Sequence, residues 1–322
     1  AISAMRRIRE SLPKAEIMAL VTPPANVVLQ AMNIFDHVVV LPEISNKGHR
    51  PINYLKWAVA AGRCLGFSPH LGVSLLADPE DQLLLALSGA NARIGAIKDI
   101  NWIYNRAWLT HAIRWESLPN RRSTRSHIIA EFTGATSTCT HDEAAALKDL
   151  QVDARFRESA RPFLDTTRPN IAVLICGSIA HRRWPLERYF LLVQGLARQG
   201  KQVTVVTGPT ERDIAPAVSD FLETTGTGKH FQNQPLLSLV ALLQGADAAI
   251  TVDSGPGHLA AATGTPTVYL LPQRKLGSFL PPGGHVEPVT GDEVAHITVE
   301  GVEQAFLRLM EKKRKGLPTW RS

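Results

Sequence analysis

The sequence predicts an α/β protein of two domains, each built around a parallel sheet. Its 322 residues are about twice the ~150 residues typical of one domain. In the second half, an apolar strand pattern at 171–175 precedes a helical pattern at 186–197 and a β-branched strand pattern at 202–206. Strand, helix and strand within about 35 residues form a βαβ unit, whose crossover forces the two strands to run parallel. Repetition of this unit favours a parallel sheet with helices on both faces.

The rest of the second half continues the alternation. It predicts a helix at 236–244, strands at 248–252 and 267–271, a short helix at 257–263 and a terminal amphipathic helix at 299–315. The first half has the same pattern with weaker contrast: strands at 17–21, 38–41 and 71–76, and helices at 24–32, 52–65 and 80–87. Around 101–126 the pattern fails, and we expect loop and helix along one wall of a cleft.

The domain boundary is predicted in the polar, charge-rich region 141–169, in which 147–163 could form a helix. We therefore expect domains at 1–165 and 166–322. The pattern at 2–10 predicts an amphipathic helix with no strand ahead of it. Because the first strand of a doubly wound sheet is normally central, we expect that the N-terminal sheet lacks its first strand.

Composition and charge exclude several classes of protein. Hydrophobic residues make up 44% and charged residues 20% of the chain, which excludes a disordered polyelectrolyte. The net charge of +6 suits a protein that binds phosphates or contacts anionic lipid headgroups, and does not require nucleic acid. Cys64, Cys139 and Cys176 form no CxxC, so neither a disulfide framework nor a zinc site is indicated. With no signal peptide and no apolar run of ~18 residues, we expect a cytoplasmic protein.

Small and polar residues follow four of the predicted strands in the second half. These segments are 177–178, 208–211, 253–255 and 272–274. In an open α/β sheet the ligand lies beyond the carboxyl ends of the strands. The sequence therefore predicts a ligand site at this edge.

Each candidate residue also has a purely structural interpretation. Gly177 and Ser178 would let backbone approach a ligand, with Arg182 beside it, yet a solvated Arg next to an ordinary turn fits equally. Asp253, Ser254 and Gly255 would begin a helix whose free N–H groups bind phosphate, or would simply cap it. Glu211 could accept hydrogen bonds from ribose hydroxyls or cap a turn, and His258 could be structural. No ligand-like spacing or DxD predicts a metal.

In their order and spacing these segments resemble glycosyltransferase family 9, the ADP-heptose:lipopolysaccharide heptosyltransferases. The resemblance rests on the strings CGS at 176–178, RRWP at 182–185, GPTE at 208–211, DSGPGHLAAA at 253–262 and GTP at 264–266. The first half supports it through LSGA at 87–90 and RIG at 93–95. The string that begins at Asp253 is the most specific part.

The resemblance implies a GT-B architecture of two facing Rossmann-like domains, the first for the acceptor and the second for the sugar nucleotide. It implies inverting, metal-independent transfer of heptose from ADP-heptose to the lipopolysaccharide inner core, with no cofactor because the ADP-sugar is a substrate. The expected partners are this nucleotide-sugar donor and a lipid-linked saccharide acceptor, with peripheral contact at the inner membrane left open.

Residue by residue, the resemblance assigns donor binding to eight positions. They are Gly177, Ser178, Arg182, Glu211, Asp253, Ser254, Gly255 and His258. Arg182, where relatives usually hold Lys, would stabilise the departing diphosphate and is the expected catalytic residue. The general base would be an Asp in a Gly-Asp loop upstream of Ala1, so we expect donor binding from this chain more firmly than turnover.

Three alternatives stay open at this point. A non-catalytic sugar-nucleotide-binding module would bind ADP or an ADP-sugar without turnover. A nucleotide-sugar epimerase can carry similar donor loops and needs no acceptor. A nicotinamide dehydrogenase is disfavoured because no GxGxxG follows a predicted strand.

Overall fold

A computed structural model describes residues 2–41, 62, 66–75, 79–97, 108–114, 145–177, 183–281 and 283–316. The chain divides into two units, Ala1–Cys139 and Thr140–Ser322. The division therefore lies ahead of the boundary predicted at 165/166. The physical reason is that the segment from residue 145 onward packs on the second unit: the Leu147 N–H donates to the Ala262 carbonyl at 2.7 Å, and the Ser159 hydroxyl donates to Ser238 Oγ at 2.6 Å.

The first unit contains two small parallel sheets among its described residues. Its elements are α1 (Ile2–Ser11), β1 (Met18–Val21), α2 (Ala25–Met32), β2 (His37–Val40), β3 (Leu71–Val73), α3 (Pro79–Leu87), β4 (Ala92–Ile97) and β5 (His111–Arg114). Strand β1 pairs with β2, and β4 lies between β3 and β5. Ile94, Ala96 and Ile113 form a buried cluster on the second of these sheets.

The second unit is built on a six-stranded parallel sheet. Its strands are β6 (Asn170–Leu174), β7 (Gln202–Thr207), β8 (Lys229–Gln232), β9 (Ala248–Val252), β10 (Thr267–Pro272) and β11 (Val286–Gly291), in the order β11-β10-β9-β6-β7-β8. Its helices are α4 (Ala154–Ala160), α5 (Leu186–Arg198), α6 (Ala215–Thr225), α7 (Leu236–Gly245), α8 (Gly255–Ala262), α9 (Leu276–Phe279) and α10 (Val299–Arg314).

Hydrophobic patterning accounts for the core of this unit. Every residue of the central strands β6 and β9 is buried, as expected for strands covered on both faces. Helix α5 buries Tyr189, Leu192, Val193 and Leu196 at helical spacing. After it the chain turns at Gly200, whose φ of 75° favours glycine.

The strand order creates a switch point between β6 and β9. These neighbours pair in register from Ile171 opposite Ala248. From β6 the chain proceeds to β7 and β8 on one side of the sheet, and from β9 to β10 and β11 on the other. Loops at such a point diverge, and the crevice between them is where ligands bind in open α/β sheets. The segments after β6 and β9 flank this crevice.

Most predicted elements are confirmed, and some predictions are corrected. The stretch 147–163, considered as one helix, is a turn at 145–149, helix α4 and a 3-10 turn at Arg161–Phe163. Part of 101–126 forms strand β5, and the rest, apart from 108–110, lies outside the described residues. The predicted helix at 52–65 also lies outside them, apart from residue 62. Elements β4, β8, β11 and α6 were not predicted.

No helix in the described part of the chain is both long enough and apolar enough to cross a bilayer.

Candidate functional site

The carboxyl ends of β6, β7, β9 and β10 bring four polar segments to one edge of the sheet. Gly177 follows β6 and Gly208 follows β7, while Asp253 follows β9 and Lys275 closes the 3-10 turn after β10. The sequence predicts that these four strand ends lie at the same edge of the sheet. Ser178 and Arg182, predicted to belong to the first segment, lie outside the described residues.

Glu211 joins the segment after β6 to the segment after β7. Its Oε1 accepts from the Gly177 N–H at 3.0 Å and from the Thr210 hydroxyl at 2.6 Å. Its Oε2 accepts from the Gly208 N–H at 2.9 Å. The residue is only 1% exposed, so its carboxylate holds two loops at a fixed separation. This geometry adds a structural role to the ribose contact predicted from the resemblance.

Arg183 joins the same two loops through their carbonyl groups, whereas Glu211 joins them through their N–H groups. Its Nε donates to the Gly177 carbonyl at 2.7 Å, and a terminal nitrogen donates to the Thr210 carbonyl at 3.2 Å. The other terminal nitrogen pairs with Asp213 at 2.7 Å, and this hydrogen bond lowers the pKa of the Asp213 carboxyl. Gly177 is therefore bonded through both its N–H and its carbonyl.

Asp253 is the centre of a second cluster. The Tyr269 hydroxyl donates to Asp253 Oδ1 at 3.3 Å, and Lys275 Nζ donates to Oδ2 at the same distance. His258 Nε2 lies 3.6 Å from Oδ1. Burial acts to raise the pKa of Asp253, but the hydrogen bonds and charges of His258 and Lys275 outweigh it, and the pKa is lowered. Asp253 is therefore an anion at neutral pH.

The residues after Asp253 form the start of helix α8. Ser254 is its N-cap, and its hydroxyl accepts from the Gly257 N–H at 3.2 Å, as capping residues do. A Cβ on Gly255 would meet no atom within 4 Å, whereas one on Gly257 would lie 2.8 Å from the Val252 carbonyl oxygen. The helix start is thus packed on β9 at Gly257 and open at Gly255, where free N–H groups and the helix dipole favour an anion.

His258 lies on the exposed side of this cluster. Its side chain is 49% exposed, and its Nε2 is 3.4 Å from the Tyr269 hydroxyl oxygen. It therefore braces the start of α8 against β10 and still faces solvent.

Sequence reasoning missed three residues of the site: Arg183, Tyr269 and Lys275. The signals were a second arginine in the 182–185 string, a tyrosine inside a buried strand, and a lysine one position beyond the strand-end segment 272–274. Cys176 takes no part in this chemistry, because burial, with the nearby charge of Glu211, strongly raises the pKa of its thiol. Within the described residues no three His, Cys, Asp or Glu side chains cluster as metal ligands do.

Comparison with known proteins decides the family. The model of glycosyltransferase family 9 (heptosyltransferase) matches residues 88–285, more than half of the chain. The chain belongs to glycosyltransferase family 9. The lipopolysaccharide core heptosyltransferase OpsX of Haemophilus influenzae is 28% identical over 146 residues. That match covers 44% of this chain and 39% of the OpsX sequence.

Solved structures of family 9 proteins share the fold over nearly the whole chain. A family 9 glycosyltransferase from Veillonella parvula has a TM-score of 0.79 at 18% identity, covering 97% of this chain and 93% of its own. The Escherichia coli heptosyltransferase WaaC with ADP has a TM-score of 0.73 at 14% identity, covering 96% and 94%. The predicted family and the predicted α/β GT-B fold class are confirmed.

A UDP-GlcNAc 2-epimerase from Methanocaldococcus jannaschii shares the fold less closely. Its TM-score is 0.63 at 14% identity, covering 97% of this chain and 90% of its own. The fold alone therefore does not separate a glycosyltransferase from an epimerase; the family 9 match does, because it rests on the sequence between 88 and 285.

Proposed function

We propose that this protein is a heptosyltransferase of lipopolysaccharide core assembly, which transfers heptose from ADP-heptose to a lipid-linked saccharide. Family membership, the similarity to the core heptosyltransferase OpsX and the ADP in the WaaC structure support this assignment. Transfer with inversion, without a metal or a cofactor, belongs to the proposal through the family resemblance.

The observation that carries the proposal is the position of two segments at the switch point of the sheet. Gly177 follows β6, and Asp253–Gly255 follow β9, its direct neighbour in the sheet. Phosphate groups bind in such crevices because backbone can approach closely and a helix begins there. The open position at Gly255 leaves room for an anion against the first N–H groups of α8.

Charge explains how this site would promote transfer. As the glycosidic bond breaks, negative charge grows on the β-phosphate oxygen of the departing nucleoside diphosphate. The N-terminus of α8 is fixed by the Ser254 cap, and Arg182 belongs to the neighbouring segment in the sequence. Preorganised positive potential of this kind stabilises the transition state more than the ground state.

The acceptor hydroxyl must lose a proton to a general base. The resemblance assigns that base to an Asp upstream of Ala1, which stays a prediction. On the donor side, Gly177, Glu211, Asp253, Ser254, Gly255 and His258 occupy one sheet edge, which supports their proposed roles in binding the nucleotide sugar.

A cytoplasmic location with peripheral membrane contact is part of the proposal, and the basic C-terminal helix bears on it. Most basic groups of this helix are paired within the chain. Arg308 and Lys312 pair with Glu287, Lys313 with Asp247 and Lys315 with Glu311. Pairs as exposed as Lys313 with Asp247 and Lys315 with Glu311 are weak in water, so these lysines can still contact anionic lipid.

The test is transfer of heptose from ADP-heptose to a Kdo-bearing lipid acceptor, measured in a protein extended upstream of Ala1 for the wild type, Arg182→Ala and Arg198→Ala. Arg198, in the last turn of α5, serves as the control for loss of an arginine. We expect R182A to lower kcat by about 10²-fold or more, as removal of a transition-state donor does, and R198A to match the wild type. Equal rates for R182A and the wild type would remove the leaving-group role.

The same assay separates the alternatives. Binding of ADP by calorimetry without turnover, in a protein extended upstream of Ala1, would indicate a binding module. Conversion of the nucleotide sugar in the absence of any acceptor would indicate an epimerase.

A further inference from the structure

Lys275 forms an ion pair with the Asp253 carboxylate across two strand ends. Its Nζ lies 3.3 Å from Asp253 Oδ2, and the two residues are brought together by the neighbouring strands β9 and β10. Both side chains are largely shielded, Lys275 being 17% and Asp253 8% exposed. A pair with so little water around it interacts more strongly than one on the open surface.

The position of this pair matters because Asp253 directly precedes the cap of α8. An unpaired carboxylate there would repel a diphosphate that approaches the open position at Gly255. The Tyr269 hydroxyl and His258 contact Oδ1, but Tyr269 carries no charge and His258 faces solvent. Lys275 is thus the shielded cation on Oδ2, and its charge cancels that of the carboxylate.

We propose that Lys275 is a positioning residue for nucleotide binding: it holds and neutralises Asp253, so that the anionic diphosphate of a sugar nucleotide can bind at the start of α8. This inference rests on the proposed function and adds to it a residue that acts on the ligand through Asp253. It commits to a nucleoside diphosphate as the ligand chemistry.

The first experiment measures the dissociation constant of ADP by calorimetry for the wild type, Lys275→Met and Lys312→Met. Methionine keeps most of the apolar stem and removes the ammonium group. Lys312 is the matched control, because it also pairs with a shielded carboxylate, Glu287 at 2.8 Å, but near the start of β11 and so away from the strand ends that form the site. We expect K275M to weaken ADP binding about tenfold or more, K312M to match the wild type, and Lys275→Arg to recover most of the affinity.

The second experiment separates an indirect role from direct contact with phosphate. In an Asp253→Asn background the charge that needs cancelling is gone, so adding K275M should weaken ADP binding by less than about threefold. If Lys275 instead contacts the diphosphate itself, the two backgrounds will show the same loss, and the proposal is overturned.

Steady-state kinetics distinguish a positioning residue from a merely structural one, because loss of a structural residue would not change KM alone. We expect K275M to raise the KM for the donor while kcat changes by less than about threefold, the signature of lost ground-state binding. Thermal unfolding of K275M and K312M checks that both variants fold. If K275M fails to fold, K275R and the D253N background still provide the comparison.

The outcomes separate this inference from the proposed function. A wild-type protein that binds no ADP overturns both. A wild-type protein that binds ADP, with K275M and K312M equal to it in affinity, overturns the role of Lys275 alone.

Discussion

The Glu211 carboxylate accepts a hydrogen bond from the Gly177 N–H at 3.0 Å, and through it the loop after β6 is tied to the loop after β7. Its other oxygen accepts from the Gly208 N–H. A buried acceptor with three donors is expensive to remove, because each donor then loses its partner at a position that is only 1% exposed. Glu211 therefore sets the shape of the site as well as its polarity.

Removal of this carboxylate should destabilise the protein. We expect Glu211→Ala to lower the free energy of unfolding by about 2–4 kcal/mol, because it leaves the N–H groups of Gly177 and Gly208 unpaired. Glu211→Gln, which keeps one acceptor oxygen, should cost less. Denaturant unfolding measures the free energy of both variants, with Glu223→Ala at an exposed position as the control. An E211A unfolding curve that overlays that of E223A would contradict the role of Glu211 in joining the two loops.

Two glycines at the start of α8 should respond differently to the same substitution. A Cβ on Gly257 would press on the Val252 carbonyl and Thr251, so Gly257→Ala should lower the free energy of unfolding by about 1–3 kcal/mol. Gly255→Ala meets open space and should unfold as the wild type does, yet weaken ADP binding because its methyl group stands where the phosphates approach. Unfolding and calorimetry on both variants check this; the reverse pattern would show that Gly255 is packed and Gly257 faces the ligand.

The Asp253 cluster should contribute to the pH dependence of stability. Burial opposes ionisation of Asp253, but His258 and Lys275 outweigh it and lower its pKa in the folded protein. Its stabilising contribution is therefore complete above the pKa of the unfolded chain, and is lost as the pH falls through the lower folded value. We expect the difference in free energy of unfolding between wild type and Asp253→Asn to shrink as the pH falls below about 5. A difference that stays constant over this range would argue against the ionised cluster.

Cys176 should be unreactive in the folded protein. It is buried, and its raised pKa keeps it as a thiol, whereas the thiolate is the nucleophile. We expect iodoacetamide to leave the peptide that contains Cys176 unmodified under native conditions and to alkylate it in denaturant, as read by mass spectrometry. Native alkylation at this position would mean that the loop after β6 opens readily.

The central strands of the six-stranded sheet in the second unit could be predicted from the sequence, and its two edge strands could not. Strands β6, β7, β9 and β10 are covered on both faces and therefore read as apolar or β-branched runs. Strand β8 lies at one edge and reads Lys-His-Phe-Gln, with only Phe231 buried. Strand β11 lies at the other edge and contains Pro288, which only an edge strand or a bulge tolerates. These two edge strands lack the apolar pattern because fewer of their residues are buried.

Some residues of the candidate site could also be predicted from the sequence, and others could not. Gly177, Glu211 and Asp253 could be predicted because strand ends in a parallel sheet meet at one edge, a rule that needs only the strands. Lys275 could not, because its contact with Asp253 depends on how the turn after β10 folds back toward β9. Pairings set by side-chain direction across strands carry no local signal in the sequence.

The pairing of β6 with β9 also sets the order in which the molecule can be assembled. Ala248 lies beyond β7 and β8 in the chain, so Ile171 can meet it only after both of those strands have been synthesised. A nascent chain that has emerged from the ribosome as far as Gln232 can already pair β6 with β7 and β7 with β8, since these contacts span less of the chain and close early. The ligand crevice has only one wall at that stage, and it comes into existence when β9 emerges and adds to the opposite flank of β6.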